Sequence, residues 1–330
     1  MGTPKKFRPD PELKLMDQVV QVLRYHHYSY RTEKAYCDWI VRFLKYYDYK
    51  IHPKDMEKKE VEQFLSHLAV KVNVSTATQR QATSAILFLF REVLDNSMSD
   101  SFNHIRAQKK NPLPVVMTQD EIKILLSHLS GINLIFAKLL YGSGLRLMEA
   151  IRLRIKDLDF DNNQILVYDG KRDTNRITVF PKSIQHDLRL KIQNVKLIHD
   201  DDLKQGFGSV WLPDALNKKY PNASKEFQWQ YVFPSKKRSQ DPRSGLEKRH
   251  HILESSIQKA VKHALKKSDI HKRVSCHTFR HCFATHLLEN GANIRQVQKL
   301  MGHKDLKTTE IYLHVMETKF DIESPLDLLT

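Results

Sequence analysis

Between residues 16 and 97 apolar side chains recur at three- and four-residue spacing, the period of a helix with one buried face. Leu13, Met16, Val19, Val20 and Leu23 form the first set; Tyr36, Ile40, Phe43, Leu44 and Tyr47 the second; Val61, Phe64, Leu65 and Leu68 the third; Ile86, Leu87, Phe90 and Leu94 the fourth. Four amphipathic helices are predicted, the third introduced by the capping-competent Asp55 and the fourth by Ser75. Pro112 and Pro114, set among basic residues in "NHIRAQKKNPLPVV", then interrupt the period, and the stretch reads as a stiff, extended linker. Beyond it, Thr118 and Glu121 are spaced as a capping box, "INLIFAKLLYG" reads as a buried helix, and another helix starts near Arg146 after a glycine turn. Ile165 and Val167, then Ile177 and Val179, alternate around a polar turn as a β-hairpin does. Helical spacing returns at "SIQHDLRLKIQNVKLI", lapses from about 200 to 251, and resumes from Leu253 to the end. The expected fold is therefore mainly α with a small β-hairpin, in two domains: 1–112 helical and 113–330 carrying the hairpin and an irregular insert.

Charge sharpens this picture. Lys and Arg outnumber Asp and Glu by 54 to 38, a formal net charge of +16, which suits a protein that meets polyanions, nucleic acid first among them. Arg31, Lys34, Arg42, Lys45 and Arg80 fall on the polar faces of the first four helices, as either phosphate contacts or ordinary solvated positions. Three scattered cysteines, Cys37, Cys276 and Cys282, are too few for a disulfide framework and imply a reducing compartment. With no apolar run of membrane-spanning length and no secretory or acylation pattern at "MGTPKKF", the expected location is cytoplasmic, without membrane association.

The densest chemistry lies in "SCHTFRHCFATHLL", residues 275–288. His277 and His281 stand one helical turn apart, a spacing open to metal ligation, while His277 and Arg280 share a face, as anion-binding residues do. A catalytic zinc site needs three protein ligands and usually a carboxylate base, which this stretch lacks, so the anion reading is favoured and no metal is expected. Elsewhere, "GLRLMEA" puts Arg146 at a helix start, "DGKRD" puts Lys171 in the hairpin turn, and "LMGHKDLKTTEIYLHV" sets His303 past a glycine stop with Tyr312 nine residues on.

The order Arg, hairpin Lys, H-x-x-R, G-H, then Tyr resembles the tyrosine recombinase family of DNA strand-exchange enzymes over residues 118–315. The helical amino-terminal region resembles that family's core-binding domain. The resemblance implies a catalytic set of Arg146, Lys171, His277, Arg280, His303 and Tyr312, with Tyr312 attacking a phosphodiester to leave a 3′-phosphotyrosyl bond. Elementary chemistry agrees with those roles. A phenol of pKa near 10 is ionised about one part in a thousand at pH 7, a deficit of roughly 4 kcal/mol that nearby cations can offset. Two guanidinium forks fit the non-bridging oxygens of a phosphodiester. Lys171 can protonate the departing 5′ oxygen, and His277 and His303 can hydrogen-bond the phosphate and carry the nucleophile's proton. The covalent bond conserves the energy of the broken linkage, so neither ATP nor any cofactor is needed. Two positions depart from the family pattern: Arg172 replaces a hairpin glycine, and Phe279 stands where Leu is usual.

Within the family, the aromatic and basic insert, including "LPDALNKKYP" and "DPRSGLEKRHH", is similar to that of integron integrases. That likeness implies cassette attachment sites, duplex or folded from a single strand into a hairpin, whose extrahelical bases are held by stacking worth roughly 1–3 kcal/mol each. Trp229, Pro242, His250 and His251 are the candidate base contacts, with Lys248 and Arg249 beside them; Trp229 reads equally as a core residue of the insert. A homotetramer on DNA is implied, and the apolar tail, Phe320, Ile322, Leu326, Leu328 and Leu329, reads as docking on a neighbour or covering its own domain. A phage-type or Xer-like recombinase restricted to duplex sites, or a DNA-binding protein without catalysis, are the alternatives.

Overall fold

The computed structural model describes residues 7–96, 98, 101–108, 114–168 and 175–317. Contacts divide the chain into two units, Met1–Pro112 and Leu113–Thr330. The first unit contains α1 (Leu15–Tyr25), α2 (Tyr30–Tyr46), α3 (Lys58–Val70) and α4 (Thr76–Phe88). Ser29 and Ser75 cap α2 and α4 through their hydroxyls, which accept the Thr32 and Thr78 amides. Asp55 is not the cap of α3. It lies in a preceding 3-10 turn, and the Glu57 amide is taken up by the Glu60 carboxylate at 2.8 Å, so the helix opens two residues later than the aspartate suggested. α4 continues into a π turn at Leu89–Val93, which swings Leu89, Phe90 and Val93 onto the same core as Val22, Ile40, Phe43, Leu65 and Ile86. Arg31, Lys34, Arg42, Lys45 and Arg80 are all exposed.

The start of the expected linker is tied down. Buried Gln79 donates to the Leu65 and Ile105 carbonyls and accepts the Ala107 amide, which lashes residues 105–107 to the bundle.

The second unit opens with α5 (Gln119–Ser127), capped by the Thr118–Glu121 box, and α6 (Gly131–Ser143), buried as expected. α7 (Leu147–Ile151) leads to a three-stranded antiparallel sheet ordered β1 (Leu158–Asp159), β2 (Gln164–Val167), β3 (Arg176–Val179). The hairpin register pairs Ile165 with Thr178 and Val167 with Arg176. α8 (Gln185–Lys204) reaches further than its sequence period suggested, and α9 (Asp214–Lys219) follows. β4 (Ser239–Gln240) pairs with β5 (Glu247–Lys248). α10 (Glu254–Lys267), α11 (Cys276–Glu289), α12 (Ile294–Met301) and α13 (Lys307–Glu317) complete the unit. α11 packs along α6 and α13, while α12 lies against β3. The main core runs from Ile122, Phe136 and Leu140 through Ile165 and Phe180 to Phe279, and a smaller cluster of Phe283, Leu288, Val297 and Met301 surrounds Tyr312. No described helix is long and apolar enough to cross a membrane.

Candidate active site

α6 stops where Gly144 turns left-handed at φ 62°, and the chain re-enters a helix two residues later with Arg146 as the N-cap of α7. Glu149, three residues on, accepts the Arg146 amide at 2.8 Å and the Arg146 Nη1 at 2.7 Å. It also receives a bidentate pair from Arg176 at the start of β3, at 2.9 and 2.5 Å, and Arg176 Nε donates to the Leu300 carbonyl at 2.9 Å. One carboxylate therefore fixes two arginines, and through Arg176 it joins the hairpin to the end of α12.

α11 begins at Ser275, whose amide is accepted by Thr278 Oγ1 at 3.0 Å, so the helix presents its first turn rigidly. Arg280, in the second turn, is 1% exposed. Its Nη1 donates to the Gly144 carbonyl and its Nη2 to the Met301 carbonyl, so this one side chain spans the α6–α7 turn and the end of α12. Gly302 ends α12 at φ 64°, where a Cβ would meet Arg176 Cδ at 2.7 Å. The next residue, His303, has Nε2 3.2 Å from Arg280 Nη2 and Nδ1 2.9 Å from Thr309 Oγ1. Arg146 Nη2 reaches the Gly302 carbonyl at 3.5 Å, so both candidate guanidiniums meet the same corner.

Tyr312 on α13 lies beside that corner, 2% exposed, with its ring parallel to His303 at 6.3 Å between centroids. Its hydroxyl is 3.0 Å from His281 Nδ1, and the His281 ring meets His277 edge-on at 4.4 Å. Arg146, His277, Arg280, His303 and Tyr312, read from three separate stretches, are thus neighbours. Lys171 lies outside the described residues, as does the apolar tail from residue 318.

Burial and clustered cations set the electrostatics. Burial, reinforced by Arg146, lowers Arg280 to about 9, which leaves it charged at neutral pH. Burial and the surrounding arginines hold His303 at about 4; burial, then His277 and Arg280, hold His281 at about 4. His277 shifts down for the same reasons. Burial raises the Tyr312 phenol, while Arg280 and Arg146 pull it back. Burial would raise Glu149, but the bonds and charge of Arg176 and Arg146 win and hold it at about 2. A concentration of positive charge with neutral imidazoles beside a protonated phenol is suited to an incoming phosphodiester. Among the described residues no three His, Cys, Asp or Glu side chains gather as metal ligands would. Cys276 and Cys282 are buried thiols pushed up to about 11 by desolvation, and Cys282 Sγ accepts the Met117 amide at 3.2 Å.

Glu149, Arg176 and His281 are the residues that sequence reasoning did not place. Glu149 stood at capping-box spacing from Arg146. His281 was visible only as half of a possible zinc pair, and nothing local in the chain marked Arg176.

The insert is more ordered than its irregular pattern suggested. Residues 230–235 run between residues 153–155 and 250–252 and bond to both, as in Val232 N to Leu153 O at 2.9 Å and Ser235 N to His250 O at 2.7 Å. Trp229 is half-buried beside a small core of Val210, Leu212, Ala223 and Tyr231, with Lys156 Nζ 4.5 Å from its ring centre and Arg154 at 5.7 Å. The His250 and His251 rings lie 3.9 Å apart, tilted by 39°, and the Tyr231 ring lies 5.5 and 5.3 Å from them. Burial and His251 bring His250 down to about 4, and the buried Nε2 of His251 has no hydrogen-bond partner among the described residues. Pro242 is exposed on the turn between β4 and β5, and Lys248 is half-buried on β5. Arg249 is drawn inward instead of outward, because Asp202 of α8 takes its Nε and Nη2 at 2.5 and 2.8 Å and the Ser235 and Lys236 carbonyls take its Nη1.

Comparison with known proteins agrees with this geometry. Residues 115–319 match the phage integrase family, and residues 15–100 match the phage integrase N-terminal SAM-like domain. An integrase/recombinase from Escherichia coli is 41% identical over 322 residues, spanning 97% of this chain and 95% of its own. A tyrosine recombinase from Thermosipho africanus is 28% identical over 329 residues, spanning 93% and 98%. Among solved structures, the XerH recombinase bound to its difH substrate superposes with a TM-score of 0.58 at 19% identity, covering 98% of this chain and 100% of that one. A lambda integrase dimer bound to a COC′ core site gives 0.59 at 15%, covering 94% and 79%. The chain belongs to the phage integrase family, with a SAM-like amino-terminal domain ahead of the catalytic domain. Its activity is that of a site-specific tyrosine recombinase, and its substrate is DNA.

Proposed function

We propose that this recombinase exchanges gene cassettes at integron attachment sites, accepting both duplex sites and single strands folded into hairpins, as a homotetramer on DNA. The chemistry follows from the corner where Arg146, Arg280 and His303 meet. The two guanidiniums hold the non-bridging oxygens of the scissile phosphate, with His277 hydrogen-bonding it as negative charge builds and His303, bonded to Arg280, steadying that guanidinium. Tyr312 attacks phosphorus and the 5′ oxygen leaves with a proton from Lys171, whose place in the β2–β3 connection lies outside the described residues. Reversal by another 5′-hydroxyl joins the new strands.

The observation that carries the cassette reading is the grouping of Trp229, Tyr231, His250 and His251 of the insert with Arg154 and Lys156 of the turn just before β1: flat rings and cations side by side. Such a set takes unpaired bases by stacking while it neutralises the backbone. Pro242, exposed on the neighbouring turn, adds an apolar contact, and Lys248 adds charge.

Two substrates test this. On a nicked duplex, wild-type protein forms a covalent adduct and Tyr312→Phe forms none; adduct from the variant removes Tyr312 from its role. Trp229→Ala and His250→Ala lower recombination of a folded hairpin at least tenfold while duplex cleavage changes much less. Equal loss on both substrates assigns the insert to folding and returns the enzyme to duplex sites alone.

A further inference from the structure

Tyr312 must lose a proton to attack, and its surroundings restrict where that proton can go. The residue as a whole is 2% exposed, which keeps bulk water away from the side chain. His303 is already engaged at both ring nitrogens, by Thr309 and Arg280. Among the described residues the side chain hydrogen-bonded to the phenol is His281, at 3.0 Å through Nδ1. We infer that His281 is the proton acceptor for Tyr312, taking over the shuttle that the sequence pattern assigned to His277 and His303. The inference rests on Tyr312 being the nucleophile, as proposed above.

The step balances. In the neutral tautomer with its proton on Nε2, His281 offers the Nδ1 lone pair to the phenolic hydrogen. As that proton moves, the Tyr312 oxygen bonds to phosphorus and the P–O5′ bond breaks, the 5′ oxygen taking a proton from its own general acid. On rejoining, a 5′-hydroxyl displaces the phenolate, which recovers its proton from His281. No redox partner enters and no proton is lost over the full cycle.

The placement also makes the transfer depend on substrate. Burial disfavours an imidazolium at His281, which would also face the His277 ring and stand next to Arg280 on α11. A bound phosphodiester supplies the negative charge that offsets those cations, so His281 becomes a competent base when DNA occupies the corner. The empty enzyme keeps its nucleophile protonated.

The test is single-turnover adduct formation on the nicked duplex with His281→Phe and His281→Gln, each checked for thermal melting and DNA affinity. A general base contributes about a hundredfold to ten-thousandfold, and a rate loss of that size is expected from both variants. Replacing Tyr312 in these variants with a fluorinated, more acidic tyrosine should recover most of the loss, since a readily ionised phenol needs no base. A 5′-phosphorothiolate substrate, whose sulfur leaves without a proton, should not. Wild-type rates in both variants, absence of rescue by fluorotyrosine, or rescue by the phosphorothiolate each overturn the assignment. Adduct from Tyr312→Phe would instead overturn the nucleophile itself, so the two failures are distinguishable.

Discussion

Glu149 is a buried acid whose value lies in what it holds. With Arg176 on both oxygens and Arg146 on its flank, its carboxyl falls from 4.5 to about 2. That difference corresponds to about 3 kcal/mol of folding free energy, fully present above the unfolded value and lost as pH falls through 2. His281 and His303, held at about 4, push the pH dependence the same way: neutral in both states above pH 6.5 they contribute nothing there, and as pH falls from 6.5 toward 4 the unfolded chain takes up protons that the folded one refuses, so stability drops. Glu149→Gln should lower the stability of the catalytic unit by about 2–3 kcal/mol at pH 7, with the gap to wild type narrowing below pH 4. Thermal melts of both proteins across that range check it, and a constant gap would show the charge to be irrelevant. The sequence reading did not single this residue out, because its second arginine comes from a strand 27 residues away.

At the scale of elements, local chemistry and tertiary demand part company in recognisable places. The Ser75 cap, the Thr118–Glu121 box and the Ile165–Val167 alternation were readable because each is decided within a few residues. The π turn closing α4 and the reach of α8 were not, since both follow from what packs against them. The insert shows the same division. Its polar, aromatic composition reads as irregular, yet it is fastened to α8 by Asp202, which also binds Arg238 at 2.8 Å in addition to Arg249. Burial raises that carboxyl, and the two arginines more than reverse the effect. Asp202→Asn should therefore loosen the insert without touching the chemical corner. Limited proteolysis within residues 206–252 should quicken and hairpin binding weaken, while adduct formation on nicked duplex stays within a few-fold of wild type. Unchanged proteolysis would mean that the small core around Val210 and Tyr231 holds the insert by itself.

For the whole molecule, the surplus of positive charge predicts the dominant behaviour on DNA. A chain of net charge +16 that neutralises six or more phosphates should show affinity falling with salt at a log–log slope of about −5 or steeper, measured by anisotropy on a duplex site. A slope shallower than about −2 would mean that few phosphates are engaged. The motif residues were legible because identity and order survive without a fold; the cations' supports were not, because they form only when distant segments meet. Arg280 makes the point concrete, with its guanidinium anchored to backbone on both sides of the site before any DNA arrives. An inert protein for trapping intact DNA assemblies should consequently be made by removing a single phenolic oxygen. A substitution at this arginine would give a silent protein whose scaffold had come apart, and its silence would report on architecture as much as on chemistry.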